Sequence, residues 1–204
     1  MIDLYHCRDA RSFRALWALE EMGLSYALHT LPFPPRSRQP DYLAINPLGT
    51  IPFLIDGPVR MSESAAVLQY VATRYGPTPL AVDPAEDEFG AWLDWIHFGE
   101  ATLTVPQTLV LRYGQLEPEG RRSPQVVEDY RRWFLSRLRA VEACLAEREH
   151  LCAGRFTMAD ISVGYALLLA GAVNLRGDFT PAVQAYWERL RHRPAFLAAR
   201  QKQR

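Results

Sequence analysis

Two short stretches carry residue types that together could grip a small peptide-like ligand. Ser62-Glu63-Ser64 opens a helical pattern. A helix start leaves backbone N–H groups without partners and carries a partial positive charge, so it welcomes a carboxylate. Ser64 adds a hydroxyl donor, and Glu63 adds a negative charge able to hold an ammonium group. An amino acid's α-carboxylate and α-amine would both be met there. The competing roles are structural: Ser62 as the helix cap and Glu63 as a partner of the helix dipole. Eleven residues before Glu63, Pro52 stands directly ahead of the apolar run Phe53-Leu54-Ile55. Proline cannot donate to a sheet ladder and belongs at a strand's first residue or edge. An X–Pro bond can be cis at modest cost. A cis bond at Ile51–Pro52 would turn the chain and leave the Ile51 peptide groups free to pair with an extended peptide. A trans proline in a plain loop is the alternative.

The elements that must position these residues can be read from the spacing of apolar side chains. Residues 2–5 read as a first strand. Ser12 can cap a helix running to about Met22 and stopping at Gly23, with Phe13, Leu16 and Trp17 on its apolar stripe. Residues 26–31 read as a second strand. The proline-punctuated segment that follows holds at most a short helix at 41–45. Residues 52–55 and 59–61 form a hairpin across Asp56-Gly57, and residues 63–75 form a helix ended by Gly76-Pro77. A strand, helix and second strand suggest a parallel βαβ unit. "GPTPLAVDP" reads as a linker between domains at 1–77 and 84–204.

Everything beyond Asp83 reads as helix. Asp83 is placed to cap and Pro84 to take the first helical position. That helix extends to about Tyr113 with a kink at Pro106, and a second covers 124–149. Thr157 and Asp160 form a capping box, stapled by Phe156 and Ile161, for a helix over 158–169 that is apolar nearly all round. Two shorter helices follow at 181–191 and 195–202. Trp92, Trp95, Phe98 and Tyr113 are candidates for an apolar pocket wall, although their spacing fits core packing better.

Composition excludes several classes of function. The 204 residues balance 23 basic against 23 acidic side chains, so no charge excess points to nucleic acid or a membrane surface. Three cysteines (Cys7, Cys144 and Cys152) at irregular spacing do not suggest a disulfide framework. The first residues lack the apolar core of a signal peptide, and the longest uncharged stretch, 161–175, falls short of the ~20 residues that span a bilayer. A cytoplasmic location is expected. The five histidines show no metal-ligand spacing, and glycine-rich phosphate loops are absent.

"NPLGTIPFL" and "MSESAAVLQYVATRYG", with "RSFRALWALEEMGLSY" and "GRFTMADISVGYALLL", resemble the signature of the cytosolic glutathione S-transferase family, in a bacterial form. The resemblance covers the whole chain. It implies a two-domain α+β fold: a thioredoxin-like N-terminal domain and an all-α C-terminal helical bundle that walls the electrophile pocket. It implies glutathione as co-substrate, a small hydrophobic electrophile as second substrate, a homodimer, and conjugation as the reaction. Ile51 and Pro52 would bind the cysteinyl backbone, and Glu63 and Ser64 the γ-glutamyl end. Arg36, Arg38 or Gln39 would meet the glycine carboxylate, with Arg38 taken forward.

The family must keep the glutathione sulfur as a thiolate, whose free pKa lies near ~8.5. Aligned on Arg14, the usual Ser or Cys positions fall on Ala10 and Arg11, a departure from the pattern. Ser12 is the nearest hydroxyl and is taken forward as the catalytic group, with helix capping as its competing role. Tyr5, Arg11 and the helix N-terminus are further candidates. Cys7-Arg8-Asp9-Ala10 stands where thioredoxin-like reductases carry C-x-x-C; a single-thiol exchange through Cys7 defines the alternative, a glutathione-dependent thiol transferase or peroxidase. A glutathione- or ligand-binding protein with little catalysis is the remaining alternative.

Overall fold

In the computed structural model, which describes all 204 residues, β1 (Ile2–His6) turns Ile2, Leu4 and His6 inward and leaves Asp3 and Tyr5 partly exposed. That period-two alternation is what a half-buried strand requires. After β1 come α1 (Phe13–Glu21), β2 (Tyr26–Thr30), the short α2 (Pro35–Arg38) and a 3₁₀ turn over Pro40–Ala44. Then β3 (Phe53–Asp56), β4 (Val59–Met61) and α3 (Ser64–Arg74) complete the series. The sheet runs β2-β1-β3-β4. β1 and β2 are parallel across α1; β3 and β4 are antiparallel and joined at Gly57, whose φ of 55° suits glycine. A parallel pair followed by a hairpin and a helix is the arrangement expected for the first domain.

The chain divides into two units, residues 1–81 with 191–204, and residues 82–190. The sequence boundary assigned everything from 84 onward to the helical domain. The structure returns α9 (Pro194–Lys202) to the first unit instead. Aromatic packing explains this: Phe196 lies edge-on to Trp17 at 4.9 Å and to Phe13 at 5.3 Å. Arg193 adds a two-pronged ion pair to Glu21 at 2.6 and 2.9 Å. The apolar stripe of α1 therefore needs α9 as a cover.

The second unit is helical. α4 (Phe89–His97) and α5 (Val105–Leu111) are joined and followed by wider π turns, Phe98–Thr104 and Arg112–Leu116. α6 (Pro124–Leu145), α7 (Met158–Ala172) and α8 (Pro181–Arg191) follow. The expected helix start at Asp83-Pro84 is corrected. Asp83 accepts from the Ala85 N–H at 2.9 Å and donates its own N–H to Glu86 at 2.8 Å, closing a turn, and helix begins only at Phe89. The run from 89 to 116 is otherwise continuous; the π turn over Phe98–Thr104 holds Gly99, where the chain approaches α7, and leads into Pro106, which lacks an N–H. A Cβ at Gly99 would fall 2.7 Å from the Ser162 carbonyl carbon. α7 is buried almost throughout, as its all-round apolar pattern predicts. No helix is long and apolar enough to cross a membrane.

Candidate functional site

Strand register brings three sequence-predicted segments to one end of the sheet. Leu54 pairs with Met61 in the hairpin, so the segment leading into Phe53 and the segment leaving Met61 toward α3 depart from the same end of the sheet. Tyr5 pairs with Phe53, which sets the end of β1 and Cys7 level with Ile51 on the other side. The Ile51–Pro52 bond is cis, as the sequence predicts. The ladder begins at Phe53, so the Ile51 peptide groups stand outside it. Ile51 and Ala10 both pack on a cluster of Cys7, Leu31, Tyr42 and Phe53.

The loop before Ile51 is fixed by its own polar side chains. Asn46 donates to the Thr50 carbonyl at 2.9 Å and accepts from the Leu48 N–H at 3.2 Å. The Tyr42 hydroxyl donates to the same Thr50 carbonyl at 2.8 Å. Gly49 has φ of 60°, and a Cβ there would meet Arg36 Cβ at 2.9 Å, so the position requires glycine. Arg36 is tied into this scaffold by donating to the Leu48 carbonyl at 2.7 Å. Arg38 is exposed, and its guanidinium has no hydrogen bond or ion pair.

The start of α3 is open. Its N-cap is Glu63, not Ser62, and no side chain caps the helix. Glu63 is exposed with no partner for its carboxylate. Ser64 is 2% exposed and accepts from Arg14 Nη1 at 3.3 Å. Because Arg14 supplies that bond, the Ser64 hydroxyl keeps its own proton for another acceptor. Arg14 is a buried guanidinium that sequence reasoning used only as an alignment marker. Its signal was a lone charge between Phe13 and Ala15 in an otherwise apolar first turn.

The β1–α1 turn differs from expectation. Ser12 occupies the N-cap position but makes no cap hydrogen bond, and it is fully buried. Its Oγ accepts from the Cys7 N–H at 3.2 Å and meets His6 Nδ1 at 2.8 Å. The predicted cap role is thereby corrected: the hydroxyl faces the interior and bonds to the end of β1. Cys7 is also fully buried, burial pushes its thiol up to about 12, and its Sγ lies 3.7 Å from the Pro32 carbonyl. A thiol so protonated is not a nucleophile at neutral pH. Tyr5 stacks on His29 at 4.6 Å beside the same apolar cluster. Arg11 is half-buried at the opening of α1.

In the second unit Trp92 is core, 3% exposed. Trp95 and Phe98 pair edge-to-face at 5.1 Å and stay partly exposed, as does Tyr113. Cys152 is buried and pushed up to about 11; burial also raises Cys144.

Residues 10–74 match the family model described as glutathione S-transferase, N-terminal domain. Glutathione S-transferase 3 of Zea mays is 32% identical over 199 residues, covering 90% of this chain and 85% of the maize protein. Among solved structures, a ternary complex of BphK, a bacterial glutathione S-transferase, is 26% identical with a TM-score of 0.86, covering 98% of each chain. The glutathione transferase URE2P6 of Phanerochaete chrysosporium, in complex with oxidized glutathione, is 26% identical with a TM-score of 0.85, over 99% of this chain and 96% of that one.

Proposed function

The chain belongs to the glutathione S-transferase family, and from that premise we propose that it conjugates glutathione to small hydrophobic electrophiles. The observation that carries this reading is the open start of α3, at the same end of the sheet as the cis Ile51–Pro52 segment that stands outside the ladder. The γ-glutamyl carboxylate takes the first N–H groups of α3 and the Ser64 hydroxyl; its ammonium takes Glu63. The cysteinyl peptide unit pairs with Ile51 in β-fashion, beside Pro52. Arg38, the partnerless cation, serves the glycine carboxylate, whereas Arg36 is engaged with Leu48.

This pose directs the sulfur toward the β1–α1 turn, because Ile51 and Ala10 share one apolar cluster. With Ser12 and Cys7 turned inward, the thiolate is stabilised by N–H groups at the opening of α1 and by the Arg11 charge. The thiolate lone pair then forms a C–S bond with the electrophilic carbon as the leaving group departs with the bonding electrons. The burial of Cys7 argues against the disulfide-exchange alternative. A homodimer accords with the exposed apolar side chains Phe33, Leu43, Ile45 and Leu48. A cytoplasmic location accords with three free cysteines.

Titration calorimetry with glutathione, paired with an assay of conjugation to an activated aryl halide, tests the reading. Saturable binding with turnover is expected. Binding without turnover would leave a ligand-binding protein, and no binding at millimolar glutathione would remove the site.

A further inference from the structure

We propose that Gln203, acting through His6 and Asp9, is a positioning residue that sets the β1–α1 turn at the geometry in which it stabilises the glutathione thiolate. The inference rests on the functional reading above and deepens it.

Hydrogen-bond bookkeeping fixes every proton in the network. Gln203 Nε2 donates to Asp9 Oδ1 at 2.7 Å, so its Oε1 faces the other way and must accept. Oε1 receives the Asp9 N–H at 3.1 Å and His6 Nε2 at 3.0 Å. His6 therefore carries its proton on Nε2, and its Nδ1 is an acceptor. Nδ1 takes the Ser12 hydroxyl proton at 2.8 Å, and Ser12 Oγ takes the Cys7 N–H at 3.2 Å. Arg200 closes the chain with an ion pair to Asp9. Donors and acceptors match throughout.

The network clamps both sides of the turn. Asp9 has φ of 56°, a left-handed conformation uncommon for a non-glycine residue though tolerated by aspartate, and here Gln203 holds it. Gln203 grips Asp9 by backbone and side chain together, while His6 and Ser12 fix Cys7 on the far side. Between them lie Ala10 and Arg11, the residues that face the proposed sulfur position. His6, Ser12 and Gln203 are all buried, with exposures of 0, 0 and 3%. Burial drives the His6 pKa down to about 4, so the ring stays neutral and the proton pattern holds at working pH. The charged groups facing it are Asp9 and, through Asp9, Arg200.

The test compares Gln203→Met with Arg193→Ala. The first keeps volume but removes both polar atoms; the second weakens α9 at Glu21 without touching the network. Stability, kcat, KM for glutathione and the ultraviolet absorbance of the bound thiolate against pH are measured for each. Gln203→Met should raise the bound thiol pKa by about one unit and lower kcat about tenfold, with KM changed less than about twofold. Arg193→Ala should lose stability with thiol pKa and kcat unmoved. An unchanged thiol pKa in Gln203→Met, or equal shifts in both variants, overturns the inference while wild-type binding leaves the functional reading intact. Absence of glutathione binding by the wild type overturns both. Should Gln203→Met fail to fold, nitrogen NMR of the wild-type His6 ring decides. A single Nε2–H tautomer whose signals move on adding glutathione is expected; a Nδ1–H tautomer or no movement overturns it.

Discussion

The start of α7 and the start of α3 differ in where their backbone donors go. At α7, Thr157 Oγ1 accepts from the Ala159 N–H at 3.2 Å, and Asp160 Oδ2 accepts from the Thr157 N–H at 2.8 Å. Asp160 Oδ1 also takes the Leu151 N–H and the Tyr186 hydroxyl at 3.2 and 2.8 Å. The Thr157 hydroxyl and both Asp160 carboxylate oxygens are thus occupied by the chain itself. At α3 no side chain caps the helix, and Glu63 stands unpaired. A missing N-cap leaves stability of about 1 kcal/mol unrealised. The closed start holds its unit together; the open start leaves its donors uncapped, as the proposed glutathione site requires. The opening of α1 is a third case: it too lacks a side-chain cap, but side chains from β1 and from Gln203 hold the turn that leads into it.

Four measurements test whether the two starts differ in this way. The largest effect belongs to the closed start. Asp160→Ala should lose about 4 kcal/mol of stability in urea unfolding, because three buried donors lose their acceptor, while glutathione affinity stays within about twofold at low temperature. Equal damage to binding would merge the two classes.

Acid should act next, through His6 at the opening of α1. Its folded pKa of about 4 lies below the ordinary 6.5, so between these values the unfolded chain binds more protons. Stability is therefore full above pH 6.5 and falls as pH drops to about 4, an upper loss of about 3 kcal/mol. Unfolding curves across that window should show the slope, and His6→Asn should flatten it. A wild-type profile without the slope would mean that the buried ring is charged.

At the open start, Glu63→Ala should weaken glutathione binding by about 2 kcal/mol, the worth of a hydrogen bond to a charged group. Its stability should shift by less than about 0.5 kcal/mol, as at an exposed, partnerless position. Calorimetry and urea unfolding on the same sample would show this; a stability loss exceeding the binding loss would make Glu63 a structural residue. The smallest effect is expected for Ser12→Ala, about 1 kcal/mol of stability with turnover reduced less than about tenfold. A hundredfold loss of turnover at unchanged stability would make Ser12 a direct donor to the sulfur.

What was legible in the sequence follows the range of the interactions. The α7 capping box lies within four residues and reads directly. The hairpin at Asp56-Gly57 and the cis Ile51–Pro52 bond are also local, and both are found where the sequence puts them. Ser12 was misread because its role depends on His6 and, through it, on Gln203 at the far end of the chain. A serine before an apolar helical stripe has the same local pattern whether it caps or turns inward. Asp83-Pro84 failed for a related reason: a capping pattern fits an isolated turn as well as a helix, and only the packing of Phe89 onward decides. Arg14 was missed because its partner Ser64 lies on another helix, so the lone charge in the apolar first turn of α1 did not show what it binds.

The return of residues 191–204 to the first unit has a consequence for synthesis. A ribosome releases the sheet and α1 early, yet the aromatic cover for Phe13 and Trp17 and the amide that grips Asp9 emerge only after all of the second unit has been made. The nascent first unit must wait through that interval with an apolar helix face uncovered and its turn unclamped. A chain stalled before Gln203 would carry the open start of α3 with its β1–α1 turn unclamped.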